Sequence, residues 1–347
     1  MILNIILQVG LLVGTYGDTL YRTTYDQTAM NFGELTGAKG TDCSYICASE
    51  DGKNYFAVSE NKLPGAYSFD SGLDCTAYVN GVGAYPCFLT IVKGTPYVLT
   101  ANYGDGNVTV LETENGVIKG IAQTIQFTGN GPVTRNDSQI HARAHQVKPV
   151  PDALGGKGKW LLCNDLGSDA IRVLKYRKNA GQPFKEIKRY KVSAPSGSGP
   201  RHMEFNEKAG LVYIITELSG EVLVYKIKGP RLKLVQTLQA EEVGAMASAD
   251  IHMHPSGKWL YTSHRNGNDG LCVFDIAEDG LLTKKAYVRT GLHPRNFALS
   301  PDGKALLVAC MLSNCVEVRP LDMETGLPGE PVNTIQFAEK PVCLLFL

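Results

Sequence analysis

The chain has 347 residues, 44% of them hydrophobic and 20% charged, which supports a sizeable core and excludes a disordered polypeptide. Lysine and arginine together number 34 and the acids 34, so the formal net charge is zero; a general binder of nucleic acid or acidic membrane would carry excess cations. The nine cysteines are scattered with no CxxC pair, which excludes zinc-knuckle and thioredoxin motifs and suits reduced thiols in a cytoplasmic enzyme.

The first ten residues, MILNIILQVG, are apolar, carry no cation and are shorter than a membrane span. They read as a strand running into LLVGTY; a trimmed export signal is the alternative left open. No later stretch is long and apolar enough to cross a membrane.

From Cys43 onward a unit recurs: an apolar run, a turn, a second apolar run and a polar cluster. Its copies are CSYICASEDGKNYFAVSEN, PCFLTIVKGTPYVLTANYG, AHQVKPVPDALGGKGKWLLCNDLGSD, PRHMEFNEKAGLVYIITELSG, SADIHMHPSGKWLYTSHRNG and PRNFALSPDGKALLVACMLSN. They begin at Cys43, Pro86, Ala144, Pro200, Ser248 and Pro294. A seventh start, PVCLLFL from Pro341, lacks its second strand, which LLVGTYG at 11–17 supplies. By subtraction the starts lie 43 to 58 residues apart, the size of a four-stranded blade. Asp51-Gly52, Ser256-Gly257 and Asp302-Gly303 stand where tight hairpins need positive φ. Outer strands follow, as in AIRVLKYR, EVLVYKIK and GLCVFDI, and no segment keeps a helical period. The pattern predicts an all-β, seven-bladed β-propeller over residues 1–347, closed by pairing the N-terminal strand with C-terminal strands. The two longest spacings are read as rim loops, with 128–140 bordering a pocket.

The starts of innermost strands face the channel of such a ring. Here they carry His145, Arg201 with His202, Asp250 with His252, and Arg295; the ends of the next strands carry Asp165, Glu217 and Arg265. Charges at equivalent repeat positions converge on one axis, where they form either a salt-bridged plug or a ligand site. Several cations, a carboxylate and imidazoles suit an anionic ligand and proton transfer. Cys87, Cys163 and Cys310 read as small buried hydrophobes, and Trp160 and Trp259 as blade-core fillers. No GxSxG elbow, P-loop or HExxH helix is present. No metal ligand set or cofactor motif is present, so neither is expected.

The pieces ANYGDGNVTV, NDLGSDAIRVLKY, GSGPRHMEF, ADIHMHPSGKWLY and HPRNFALSPDGK, in this order, resemble the cycloisomerase-type 6-phosphogluconolactonases. These are seven-bladed propeller lactonases related to the 3-carboxy-cis,cis-muconate lactonising enzyme. The resemblance runs from Leu11 to the last strand. It implies hydrolysis of 6-phospho-glucono-lactone to 6-phosphogluconate, with His145, Arg201, Glu217 and Arg265 as the catalytic positions. His145 or Glu217 would be the base, and Arg201 and Arg265 would stabilise the oxyanion. His202, Asp250, His252 and Arg295 match further polar positions for substrate, with Arg295 and His202 toward the phosphate. Arg143 and Phe88 depart from the family, standing where many relatives have histidine. The implied partner is a small sugar lactone phosphate, with no nucleic acid or membrane, and a monomer or weak homo-oligomer is expected. A muconate-type lactonising cycloisomerase and a non-catalytic binding scaffold are the alternatives.

Overall fold

The computed structural model describes residues 8–132, 136–241 and 247–347. The strand expected over residues 1–7 lies outside them. Seven antiparallel sheets are arranged in series, each running outward from one innermost strand. The innermost strands are Cys43–Ala48, Pro86–Val92, Ala144–Pro149, Pro200–Asn206, Ser248–Met253, Pro294–Leu299 and Lys340–Phe346, defining blades one to seven. Six of the seven repeat starts read from the sequence therefore open an innermost strand, and the seventh, Pro341, is the second residue of its own. In blade seven Lys340–Phe346 pairs with Gln8–Tyr16, with Leu12 opposite Leu345, so the two ends of the chain share one sheet and close the ring without a free edge. Among the described residues the helical elements are four short 3-10 turns, such as Asn136–Gln139 and Met311–Ser313.

Blades stack face to face, so a middle strand has an apolar neighbour on both sides and reads as a continuous buried run. Leu211–Thr216 and Ala305–Cys310 are buried at every residue, whereas the outer strand Arg231–Gln239 alternates with solvent. Each core lies between neighbours: Phe88 and Leu99 of blade two meet Val147 and Leu161 of blade three. Leu11 and Val13 of the closing strand pack with Leu307, Val316 and Val318 of blade six. Trp259 fills the core between blades five and six. Trp160 is only half-buried, its ring edge-on to Tyr190 with Lys175 above it. The expected hairpin glycines Gly52, Gly257 and Gly303 have φ of 70°, 71° and 71°, where a Cβ would be strained. The insertion after Pro86 is in part regular structure: Val117–Gln126 is a ten-residue outer strand.

One irregularity recurs in all seven blades. Beside its second strand, each innermost strand carries one extra residue just after its start. Pro86 pairs with Asn102 and Phe88 with Ala101, leaving Cys87 without a partner; Ala144 and Gln146 pair with Asp165 and Asn164, leaving His145. The same shift falls at Ser44, Arg295 and Val342. In blades four and five it spans Arg201–His202 and Ala249–Asp250. A bulge bends the strand and re-aims the extra side chain, here toward the channel.

Closure by Leu11 and its neighbours predicts a measurable stability role for the N-terminal strand. Leu11→Ala should lower the unfolding free energy in urea by about 2–5 kcal/mol.

Candidate active site

Two sets of equivalent positions build the channel mouth. The first is the bulge residue of each innermost strand. The second is the residue that directly follows the second strand, where its backbone N–H bonds back to the turn before the innermost strand. Glu60 donates to the Asp42 carbonyl, Tyr103 to Tyr85, Glu217 to Gly199 and Met311 to His293, at 2.8–3.2 Å. His145, Arg201 and Arg295 belong to the first set; Glu60, Tyr103, Glu217 and Arg265 belong to the second, and Tyr16, the last residue of Gln8–Tyr16, stands at the equivalent place in blade seven.

The structure brings His145, Arg201, Glu217 and Arg265 together around one carboxylate oxygen. Glu217 Oε2 lies 2.7 Å from Arg201 Nε, 3.4 Å from Arg265 Nη2 and 3.8 Å from His145 Nε2. Its side chain is 20% exposed, the arginines almost wholly buried, so Glu217 marks where the cluster meets solvent. Backbone carbonyls fix the guanidiniums from behind: Arg201 Nη1 donates to Ala249 O at 2.5 Å and Arg265 Nε to Ala247 O at 2.8 Å. Arg295 approaches the other side of the channel. It pairs with Glu60 at 3.2 Å and lies 5.1 Å over the Tyr16 ring, and the Tyr16 hydroxyl donates to Glu60 at 2.8 Å.

His202 and Asp250 lie beneath Arg201. His202 Nδ1 is 2.7 Å from Asp250 Oδ1, its Nε2 faces Arg201 Nη1 at 3.3 Å, and Asp250 also accepts from Asn296 at 2.5 Å. His252 is not part of this mouth. It sits two residues further down its strand, bonded to the far oxygen of Asp250 at 3.0 Å, and is the most exposed of the four, at 32%. The carboxylate of Asp250 stands between it and His202.

Burial and positive charge set the protonation states. Burial lowers the His145 pKa well below its ordinary value, and Arg201, His202 and Arg295 push the same way, so the imidazole is neutral. His202 is lowered to about 4 by burial and Arg201, against the pull of Asp250. Burial works to raise Glu217, but Arg265, Arg201 and Arg295 outweigh it and hold the carboxyl below its usual range. Burial lowers Arg265 to about 10 with Glu217 opposing, which leaves it charged at neutral pH. The mouth therefore holds three guanidiniums, two acids and neutral imidazoles. A small polar substrate that develops negative charge is stabilised by such an arrangement.

The model of the seven-bladed β-propeller lactonases matches residues 10–346 of the sequence. This chain belongs to that lactonase family. A 6-phosphogluconolactonase of Formosa agariphila is 34% identical over 307 residues, covering 83% of this chain and 85% of its own. A Bacteroides fragilis crystal structure, a candidate 6-phosphogluconolactonase by its description, superposes with a TM-score of 0.90 at 34% identity over 98% of both chains. The periplasmic gluconolactonase of Pseudomonas aeruginosa superposes at 0.89 with 27% identity, covering 98% of this chain and 99% of its own.

On this lactonase scaffold several channel residues escape the sequence reading. Tyr16, Glu60 and Tyr103 occupy the same place as Glu217, and aligning the ends FAVSEN, LTANYG and IITELSG shows them. Cys87 is buried as expected, yet it sits at a bulge with Sγ 3.7 Å from His145 Nδ1 rather than in a blade core. Asp165 corrects the reading in the other direction. It is the last residue of its strand, one before the channel position, which Leu166 fills. Its carboxylate turns into the blade, to Arg172 at 2.7 Å and to the backbone N–H of Arg143 at 2.7 Å. Both members of the Asp165–Arg172 pair are buried; Glu186 at 2.8 Å stays on Arg172 when Asp165 is removed, but the guanidinium loses one of its two acids and the Arg143 N–H its acceptor. Asp165→Ala should destabilise the fold by about 3–5 kcal/mol in urea titrations.

Proposed function

We propose that this protein is a lactone hydrolase that opens 6-phospho-glucono-lactone to 6-phosphogluconate. The observation that carries the reading is the pair of guanidiniums, Arg201 and Arg265, converging on Glu217 beside a neutral His145. The names of the relatives at 34% identity support it. The gluconolactonase likeness favours the unphosphorylated sugar lactone as a second reading of the same chemistry.

Ring opening requires water to add to the carbonyl carbon, negative charge to be held on the carbonyl oxygen, and the ring oxygen to leave with a proton. The neutral imidazole of His145 takes the proton as the water oxygen bonds to carbon. Arg201 and Arg265 hold the oxyanion. When the tetrahedral intermediate collapses, the ring C–O bond breaks and the imidazolium returns the proton to the departing oxygen. Glu217 holds both guanidiniums in register and balances the imidazolium while it exists. Both guanidiniums hold the Glu217 carboxyl below its usual range and keep it in their salt bridges, so in this reading it orients them and His145 is the base. Cys87 lies close enough to His145 to suggest a thiol–imidazole couple, but burial first, and then Glu60, raise its pKa, so it stays a thiol and takes no nucleophilic part. The route needs no covalent intermediate. The nine free thiols suit the reducing cytoplasm.

Two measurements test this. Arg201→Ala should lower kcat on freshly prepared 6-phospho-glucono-lactone by about 10²–10³-fold, measured above spontaneous hydrolysis, with an unchanged circular-dichroism spectrum. Unaltered turnover would remove Arg201 from the site. The second is the pH profile. The base works only when neutral, and the folded protein holds His145 below the ordinary histidine value of 6.5. kcat/KM should therefore stay level as pH falls through 6.5 and drop only in more acidic solution. A limb centred at or above 6.5 would point to a different base.

A further inference from the structure

The central guanidiniums all have a carboxylate partner already. Glu217 serves Arg201 and Arg265, and Glu60 serves Arg295. His202 has both ring nitrogens engaged, by Asp250 and by Arg201. A phosphate dianion that bound to His202 would have to displace one of these partners, and one on Arg295 would share its guanidinium with Glu60. The expectation that Arg295 and His202 hold the phosphate therefore places the dianion beside a carboxylate at both residues.

Arg143 is held differently. It lies two residues before His145, at the turn that leads the chain into the channel. Its Nε donates to the Ser138 carbonyl at 3.0 Å and its Nη2 to the Asp137 carbonyl at 3.1 Å. Its guanidinium carbon sits 4.6 Å over the Tyr103 ring, and its backbone N–H is tied to Asp165. No carboxylate pairs with the guanidinium among the described residues. Neutral carbonyls and an aromatic face thus fix its orientation without cancelling its charge, which leaves a planar fork ready for a phosphoryl group. The other face of the contact is catalytic: Tyr103 stands edge-on to His145, ring centres 5.7 Å apart. One aromatic ring separates this cation from the proposed base.

We propose that Arg143, stacked on Tyr103, is the anion subsite that receives the terminal phosphate of a phosphorylated sugar lactone. The inference rests on the lactonase reading above and deepens it. The lactone carbonyl lies at Arg201 and Arg265, and the six-carbon chain carries its phosphate outward past His145 to the rim. Tyr103 keeps the guanidinium from swinging away and separates the phosphate from the reacting atoms.

The test uses the full-length protein, its variants R143A, R143K and K340A, and both lactones, phosphorylated and not. Lys340 is the control, since it holds the same rim position in blade seven. The readout is the ratio of kcat/KM for the phosphorylated lactone to that for the unphosphorylated one. R143A should lower this ratio by about 10- to 100-fold, mostly through KM, as expected for losing a charged hydrogen-bond donor. R143K should fall between R143A and the parent, and K340A should leave the ratio alone. Inorganic phosphate should inhibit the parent competitively and R143A more weakly. An unchanged ratio in R143A, or a selective loss in K340A instead, overturns the subsite while leaving the lactonase reading standing. A parent protein inactive on both lactones overturns that reading, and the subsite with it.

Discussion

The bulge just after the start of each innermost strand breaks the two-residue alternation that would otherwise govern the channel wall. A regular strand would point alternate residues into the neighbouring blades, and a charged group there would meet apolar packing. One extra residue frees a side chain from the ladder and turns it toward the axis. Since the irregularity repeats seven times, it supplies a ring of places where chemistry is permitted without disturbing a blade core. Three are used for ionisable groups, His145, Arg201 and Arg295, and the rest by small or apolar residues such as Ser44, Cys87 and Val342. The residue after each second strand supplies the complementary ring. Glu217 meets the bulge residue Arg201 at salt-bridge distance because both sets sit at the same height in the ring of sheets, and Arg265 reaches Glu217 within the second set.

Three buried guanidiniums in one channel repel one another, and the arrangement holds because each has a fixed partner. Two acids pair with the three, and the carbonyls of Ala247 and Ala249 take one hydrogen each from Arg265 and Arg201. The desolvation of these charges opposes folding, and truncating either acid would leave like charges face to face. In the proposed reaction, what is gained is that charges and dipoles are fixed at the reacting position before substrate arrives, the preorganisation from which much of the rate enhancement of acyl chemistry arises. Burial first, and then the charge of Arg201, lower the pKa values of His145 and His202, so the imidazoles are set neutral by their surroundings.

The architecture was legible in the sequence because the repeat recurs at near-constant spacing and each copy opens with the same apolar run. Every innermost strand was placed from these starts, including the shared blade seven. The site was legible where two residues of like chemistry stood at corresponding places, as with Arg201 and Arg295. It was illegible where register decided the outcome. Asp165 and Leu166 are adjacent, and only the pairing of Ala144 with Asp165 shows that the acid belongs to the strand and the leucine to the channel. Cys87 looked like core because the residues around it are apolar, and a bulge leaves no composition signal. Glu60 and Tyr16 were hidden for another reason: their partner Arg295 lies more than two hundred residues away, and nothing local announces the contact.

That last contact has a consequence for how the molecule is made. Tyr16 comes from the first described strand, Glu60 from blade one and Arg295 from blade six, so this corner of the mouth straddles the seam where the ring is zipped shut. Joining segments so distant along the polypeptide is a slow step of maturation. A nascent chain that has not yet emerged to its final strand has its central arginines but lacks the frame that positions one of them. The hydrolase is thereby assembled last, and an unfinished propeller on the ribosome carries an unfinished catalyst.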